Sequence, residues 1–159
     1  MSEQLTPLVE INDLYKKFGK VQALNGLNLS VFSKDIYGLL GPNGSGKSTT
    51  IWILLSLLRP DSGSITVFGR RIQGVKNNYL GRIGALIERP TFYENLTAEK
   101  NLSLLMQYSA QTPNRNTLFN VLETVGLESR ANDKVRHYSE GMKQRLGIAQ
   151  ALLHQPPVL

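Results

Sequence analysis

Gly41-Pro42-Asn43-Gly44-Ser45-Gly46-Lys47-Ser48 decides how this 159-residue sequence is read. It fits the pattern G-x-x-x-x-G-K-[ST] at every fixed position, a coincidence that average residue usage produces in roughly one chain of this length in two hundred. The chemistry explains each residue type. Glycines permit positive φ and let backbone N–H groups crowd round a polyanion without Cβ clashes. A helix opening near Ser48 aims its unpaired N–H groups and positive dipole end at the same anion. Lys47 adds a mobile charge for β- and γ-phosphates, and Ser48 offers a hydroxyl to Mg²⁺, which prefers hard ligands and substrate phosphate. Gly41, Pro42, Asn43, Gly44, Ser45, Gly46, Lys47, Ser48 and Thr49 are therefore the candidate residues for binding Mg-ATP.

The flanks suit such a loop. Residues 36–40 are a short apolar run, as in a strand buried on both faces. Residues 48–58 are apolar enough for a buried helix, stopped by Arg59-Pro60. Further out, residues 8–11 and 27–31 alternate in strand fashion. Residues 64–68, with Gly69 behind them, read as a hairpin arm, and residues 83–87 as another buried strand. The later part turns helical at 98–108, at 115–125 with Gly126 as its stop, and at 140–153 with Ser139 as its cap. Residues 156–159 read as the start of a new strand. Strands first, then strand and helix mixed, predict an α/β core with an added antiparallel arm.

Composition narrows the class further. Hydrophobic residues make up 41% and charged residues 19%, as in an ordinary globular chain rather than a disordered one. There are no cysteines, which excludes disulfides and thiolate metal sites. The longest apolar stretch, from Ile51 to Leu58, is far short of the roughly 20 residues that cross a bilayer. Residues 1–7 do not read as a signal peptide. Any service to a membrane is then expected to pass through a partner. The 18 basic and 12 acidic residues give +6, but the basic ones are scattered, so charge alone points to no polyanion.

Three further segments resemble ATP-binding subunits of ABC transporters, a resemblance running from about Leu8 to Leu159. The first is Leu14-Tyr-Lys-Lys-Phe-Gly-Lys-Val-Gln-Ala-Leu-Asn-Gly-Leu, followed by the loop and by Arg59-Pro-Asp-Ser-Gly-Ser-Ile. In that family an aromatic before the first glycine stacks on adenine, which implies Phe18, with Tyr15 as the second choice; such a stack is worth roughly 1–3 kcal/mol.

The second segment, Tyr138-Ser-Glu-Gly-Met-Lys-Gln-Arg-Leu-Gly-Ile-Ala-Gln-Ala, is similar to the family's signature. There Ser139, Gly141 and the helix start would face the γ-phosphate held by a second subunit, making ATP the glue of a homodimer. Glu140 and Met142 depart from the usual Ser-Gly-Gly-Gln, and Glu140 brings negative charge towards a phosphate. The third segment, Ile83-Gly-Ala-Leu-Ile-Glu88-Arg-Pro-Thr-Phe-Tyr-Glu-Asn-Leu-Thr, resembles the loop joining the core to the helical subdomain. Its part from Arg89 to Asn95 would touch a membrane-spanning partner. Glu88 stands where the family usually has glutamine; bacitracin- and lantibiotic-type immunity exporters carry glutamate there. A carboxylate 4 Å from the γ-phosphate would be repelled by about 4 kcal/mol at an effective dielectric of 20, so Glu88 is expected to act with Ser48 as a ligand of Mg²⁺ lying between them.

The resemblance thus implies an α/β P-loop NTPase core with an antiparallel β arm and a helical subdomain, incomplete at the C-terminus. Residues 1–88 and 154–159 would form the core and arm, and 89–153 the helical part, of one ABC-type domain. The family's Asp-Glu pair and switch histidine, expected beyond Leu159, have no counterpart here; His137 and His154 do not stand at the matching place. The chain is therefore expected to bind ATP and hydrolyse it poorly, and an open edge beside the loop's strand is expected to favour aggregation. The complete protein would drive export of a peptide antibiotic or similar compound from the inner face of the cell membrane. The alternatives are a soluble ABC-type ATPase acting on nucleic acid or the ribosome, which lacks the expected second cassette or coiled coil, and a regulator that binds nucleotide without hydrolysing it.

Overall fold

Alternating apolar and polar residues fold the first third of the chain into an antiparallel sheet. The computed structural model describes residues 6–72, 79–87, 89–108, 112 and 114–159, and the chain divides into two compact units, Met1–Leu80 and Gly81–Leu159. In the first unit, β1 (Val9–Phe18) pairs with β2 (Val21–Val31) on one side and β3 (Ser62–Val67) on the other, and β3 pairs with β4 (Arg70–Arg71). Val9 and Ile11 point inward at strand spacing, but the next buried residue is Leu14 rather than Asp13. The register slips between Ile11 and Leu14. Asp13 takes φ +46, and its N–H donates to Asn28 Oδ1 at 2.9 Å. One extra residue on β1 thus turns Leu14 inward and Asp13 outward. Gly63 faces this bulge at φ +96, where a Cβ would run into the Asp13 carbonyl.

Helix α1 (Lys47–Leu54) follows the glycine-rich loop. It ends four residues before the expected stop at Leu58, because Ser56 turns the chain at φ +57. The Leu57 N–H bonds Trp52 O at 2.8 Å and the Ser56 N–H bonds Ile53 O at 3.0 Å, the paired closure of a left-handed helix end. Tyr79 caps the same end, donating to Leu54 O at 2.6 Å and sharing a 2.8 Å hydrogen bond with the Ser56 hydroxyl. Burial raises the Tyr79 pKa, against the lowering effect of that Ser56 bond.

The strand expected at residues 36–40 does not form: the segment has no regular secondary structure, and Ile36 and Leu40 are exposed. A strand exists only through its ladder, and among the described residues nothing pairs with this stretch.

The second unit is helical: α2 (Ala98–Tyr108), α3 (Arg115–Thr124) and α4 (Glu140–Leu152). Ala98, Leu102 and Met106 of α2 meet Leu118, Val121 and Leu122 of α3 and Leu146 and Ala149 of α4 in one buried cluster. These positions recur every three or four residues, the helical period that the sequence displays. The strand expected at residues 83–87 is reduced to a single parallel bridge between Ile83 and Val158, with the Gly84 N–H on Val158 O at 2.8 Å. Among the described residues no helix is long and apolar enough to cross a membrane.

Candidate nucleotide-binding site

The loop is shaped by two close approaches. Gly46, at φ +90, caps α1, and a Cβ there would stand 2.5 Å from the Ala23 carbonyl oxygen and 2.6 Å from Leu24 Cδ2 of β2. Only glycine lets the loop settle on the sheet at this point. Lys47 folds back over the loop, its ammonium donating to Gly41 O and Pro42 O at 2.8 Å each. An ammonium has three donors, so the third N–H remains for a ligand. The Ser45 N–H on Pro42 O at 3.2 Å tightens the turn. Thr50 locks the helix start to the loop, with both its N–H and its hydroxyl on Gly46 O.

This end of α1 suits an anion. Gly46 has no side chain to cap the first-turn N–H groups, and the first turn holds no acidic residue. Ser48 is exposed on the same turn, fit to give one hydroxyl to a cation whose other ligands are phosphate and water, while Thr49 is buried beneath it. Nucleotide and Mg²⁺ therefore fit the residues present.

Phe18 lies at the end of β1 opposite Val21, which is three residues before Leu24, the residue against which Gly46 packs. The residue Phe18 is 45% exposed. Tyr15 is more engaged, its hydroxyl closing over Gly26. Beside Phe18 stands a pair that sequence reading missed. Lys16 Nζ is 2.9 Å from Asp61 Oδ1, and Asp61 Oδ2 accepts the Lys17 N–H at 2.7 Å. The Lys16 hydrogen bond, helped by the Lys17 N–H, holds the Asp61 carboxyl below its ordinary pKa. Partners 45 residues apart leave no local signal.

In the second unit, Ser139 caps α4, its hydroxyl accepting the Met142 N–H at 3.3 Å. Gly141 is exposed in the first turn with open space around it. Lys143 Nζ reaches Glu94 Oε1 at 3.0 Å and Glu140 Oε1 at 3.9 Å. The Glu94 hydrogen bond raises the Lys143 pKa, and Lys143 also lies within ion-pair reach of the Glu140 carboxylate at this helix end. Glu94 also accepts the Arg136 N–H on its backbone oxygen at 3.0 Å.

Asn101 pins the neighbouring segment. It is buried in α2, where its side chain accepts the Tyr93 N–H at 2.8 Å and donates to Tyr93 O and Thr97 O. The signal for it was an asparagine at the helical spacing of Ala98 and Leu102. Glu88 lies outside the described residues.

A glycine-rich loop that rests against a sheet and opens a helix is the arrangement of a phosphate-binding domain. A family model described as ABC transporter matches residues 24–159, and the chain belongs to that family. It is 44% identical over 155 residues, 98% of its length, to the bacitracin transport ATP-binding protein of Bacillus licheniformis, covering 50% of that protein. It is 38% identical over 152 residues to the lantibiotic transport ATP-binding protein of Streptococcus pyogenes, covering 96% of this chain and 64% of that one. Among solved structures it is similar to a dimeric ATP-binding cassette in a post-hydrolysis state with ADP and phosphate bound, at 28% identity and a TM-score of 0.77 over 93% of this chain and 70% of that one. The fold is thus that of an ABC ATPase domain with antiparallel arm and helical part. The chain spans about half the length of the bacitracin relative.

Proposed function

We propose that the chain binds Mg-ATP in the loop from Gly41 to Thr49, with Phe18 against the base and Ser48 on the metal. The observation that supports it is the loop itself: glycines at positive φ, an uncapped helix start and the Lys47 ammonium drawn over them. Titration calorimetry with Mg-ATP tests it. One saturable site is expected, and Lys47→Ala should weaken it about 10- to 100-fold, the worth of one charge-assisted hydrogen bond. Equal affinity in wild type and variant would remove the loop from the account.

In the complete protein, ATP hydrolysis drives transport through a membrane-spanning partner that meets the segment from Arg89 to Asn95, and two ATP-binding subunits close on nucleotide with Ser139 and Gly141 facing the γ-phosphate of the other. Export of a peptide antibiotic is the cargo reading, supported by the likeness to bacitracin and lantibiotic transport proteins and by Glu88, taken as a second metal ligand. Phosphoryl transfer depends on positioning and electrostatics, and poor hydrolysis by the chain on its own, below about 1 s⁻¹, is part of the same proposal, read from phosphate release. Residues 1–88 with 154–159 act as the core and arm, and residues 89–153 as the helical part. The protein works peripherally on the inner face of the cell membrane, without nucleic acid.

A further inference from the structure

Lys16 and Phe18 stand two residues apart near the end of β1. The Lys16 ammonium lies over the Phe18 ring, 5.5 Å from its centroid, inside the roughly 6 Å over which the negative face of a ring attracts a cation. The same ammonium is paired with Asp61 at 2.9 Å. Asp61 also holds the strand on either side of Lys16, its N–H on Tyr15 O at 2.9 Å and its Oδ2 under the Lys17 N–H. The Lys16 side chain is only 13% exposed, so this is no solvated surface lysine. Its stem is packed, and its head is fixed between a carboxylate and a ring.

From this geometry we infer that Lys16, held by Asp61, is the positioning residue for the nucleobase: it occupies one face of Phe18 and leaves the other to stack on the base. The inference rests on the proposed nucleotide site and adds to it. A cation on one side draws density from the ring and favours an electron-rich purine on the other. Fixing the ring beforehand also lowers the ordering cost of binding. The contribution belongs to the base alone, since the ammonium is already paired and aimed at the ring.

The test compares Mg-ATP with Mg-tripolyphosphate, which has the phosphates without the base, by calorimetry on wild type, F18A, K16M, K16R and the F18A/K16M pair. K16M should lose about threefold in ATP affinity and nothing for tripolyphosphate; K16R, which keeps the cation, should bind ATP like wild type. On the F18A background K16M should add no further loss. The inference is overturned if K16M weakens both ligands equally, if its effect survives without Phe18, or if F18A weakens ATP while K16M does not. F18A with unaltered ATP affinity overturns base stacking and this inference together, leaving the phosphate site intact. Wild type that binds neither ligand overturns the phosphate site itself.

Discussion

Gly46 is where the glycine-rich loop comes to rest on β2. At φ +90, with Ala23 O 2.5 Å from where a Cβ would sit, it has room for a hydrogen only. Gly46→Ala should cost roughly 1–3 kcal/mol in backbone strain, read as a lower urea midpoint, together with loss of Mg-ATP binding as the loop lifts from β2. A variant as stable and as competent as wild type would show that the loop does not rest there. Residues of this kind were legible in the sequence, because their chemistry is written in eight consecutive positions. Lys16 and Asp61 were not, since a pair is a property of the fold. Asn101 was passed over as well: three residues after Ala98 it falls on the buried face of α2, but its partner, the Tyr93 backbone, carries no sequence signal.

At the scale of elements, the bulge in β1 decides which side chains make the core. Strict alternation from Val9 and Ile11 would bury Asp13; the slip buries Leu14 instead. Asn28 stabilises the slip, accepting the Asp13 N–H and donating to Asp13 Oδ1 at 3.2 Å and Gly26 O at 2.9 Å. Asn28→Ala should therefore destabilise the protein by about 1–2 kcal/mol, measured by chemical denaturation; no change in midpoint would show that the bulge stands without it. Helices α2, α3 and α4 were legible almost to the residue, because the apolar repeat every three or four residues displays the helical period and a helix closes its backbone hydrogen bonds within its own segment. The early end of α1 was hidden, since it depends on Ser56 entering a left-handed turn and on Tyr79, 25 residues from the carbonyl it caps. The apolar runs at residues 36–40 and 83–87 were read as buried strands and form none, since a ladder needs a second segment and cannot be read from one.

At the scale of the molecule, the sequence conveyed the class of fold through the order of its motifs, and the family match over residues 24–159 agrees with it. Of the residues proposed above to meet nucleotide, the phosphate loop and Phe18 lie in one unit and Ser139 and Gly141 in the other. The measurement that bears most directly on the central claim is an amide-resolved NMR titration of the folded chain with Mg-ATP. The backbone amides of Gly44, Gly46, Lys47, Ser48 and Thr49 should move most and saturate together. Saturable binding that leaves those five amides in place and shifts others would contradict the account.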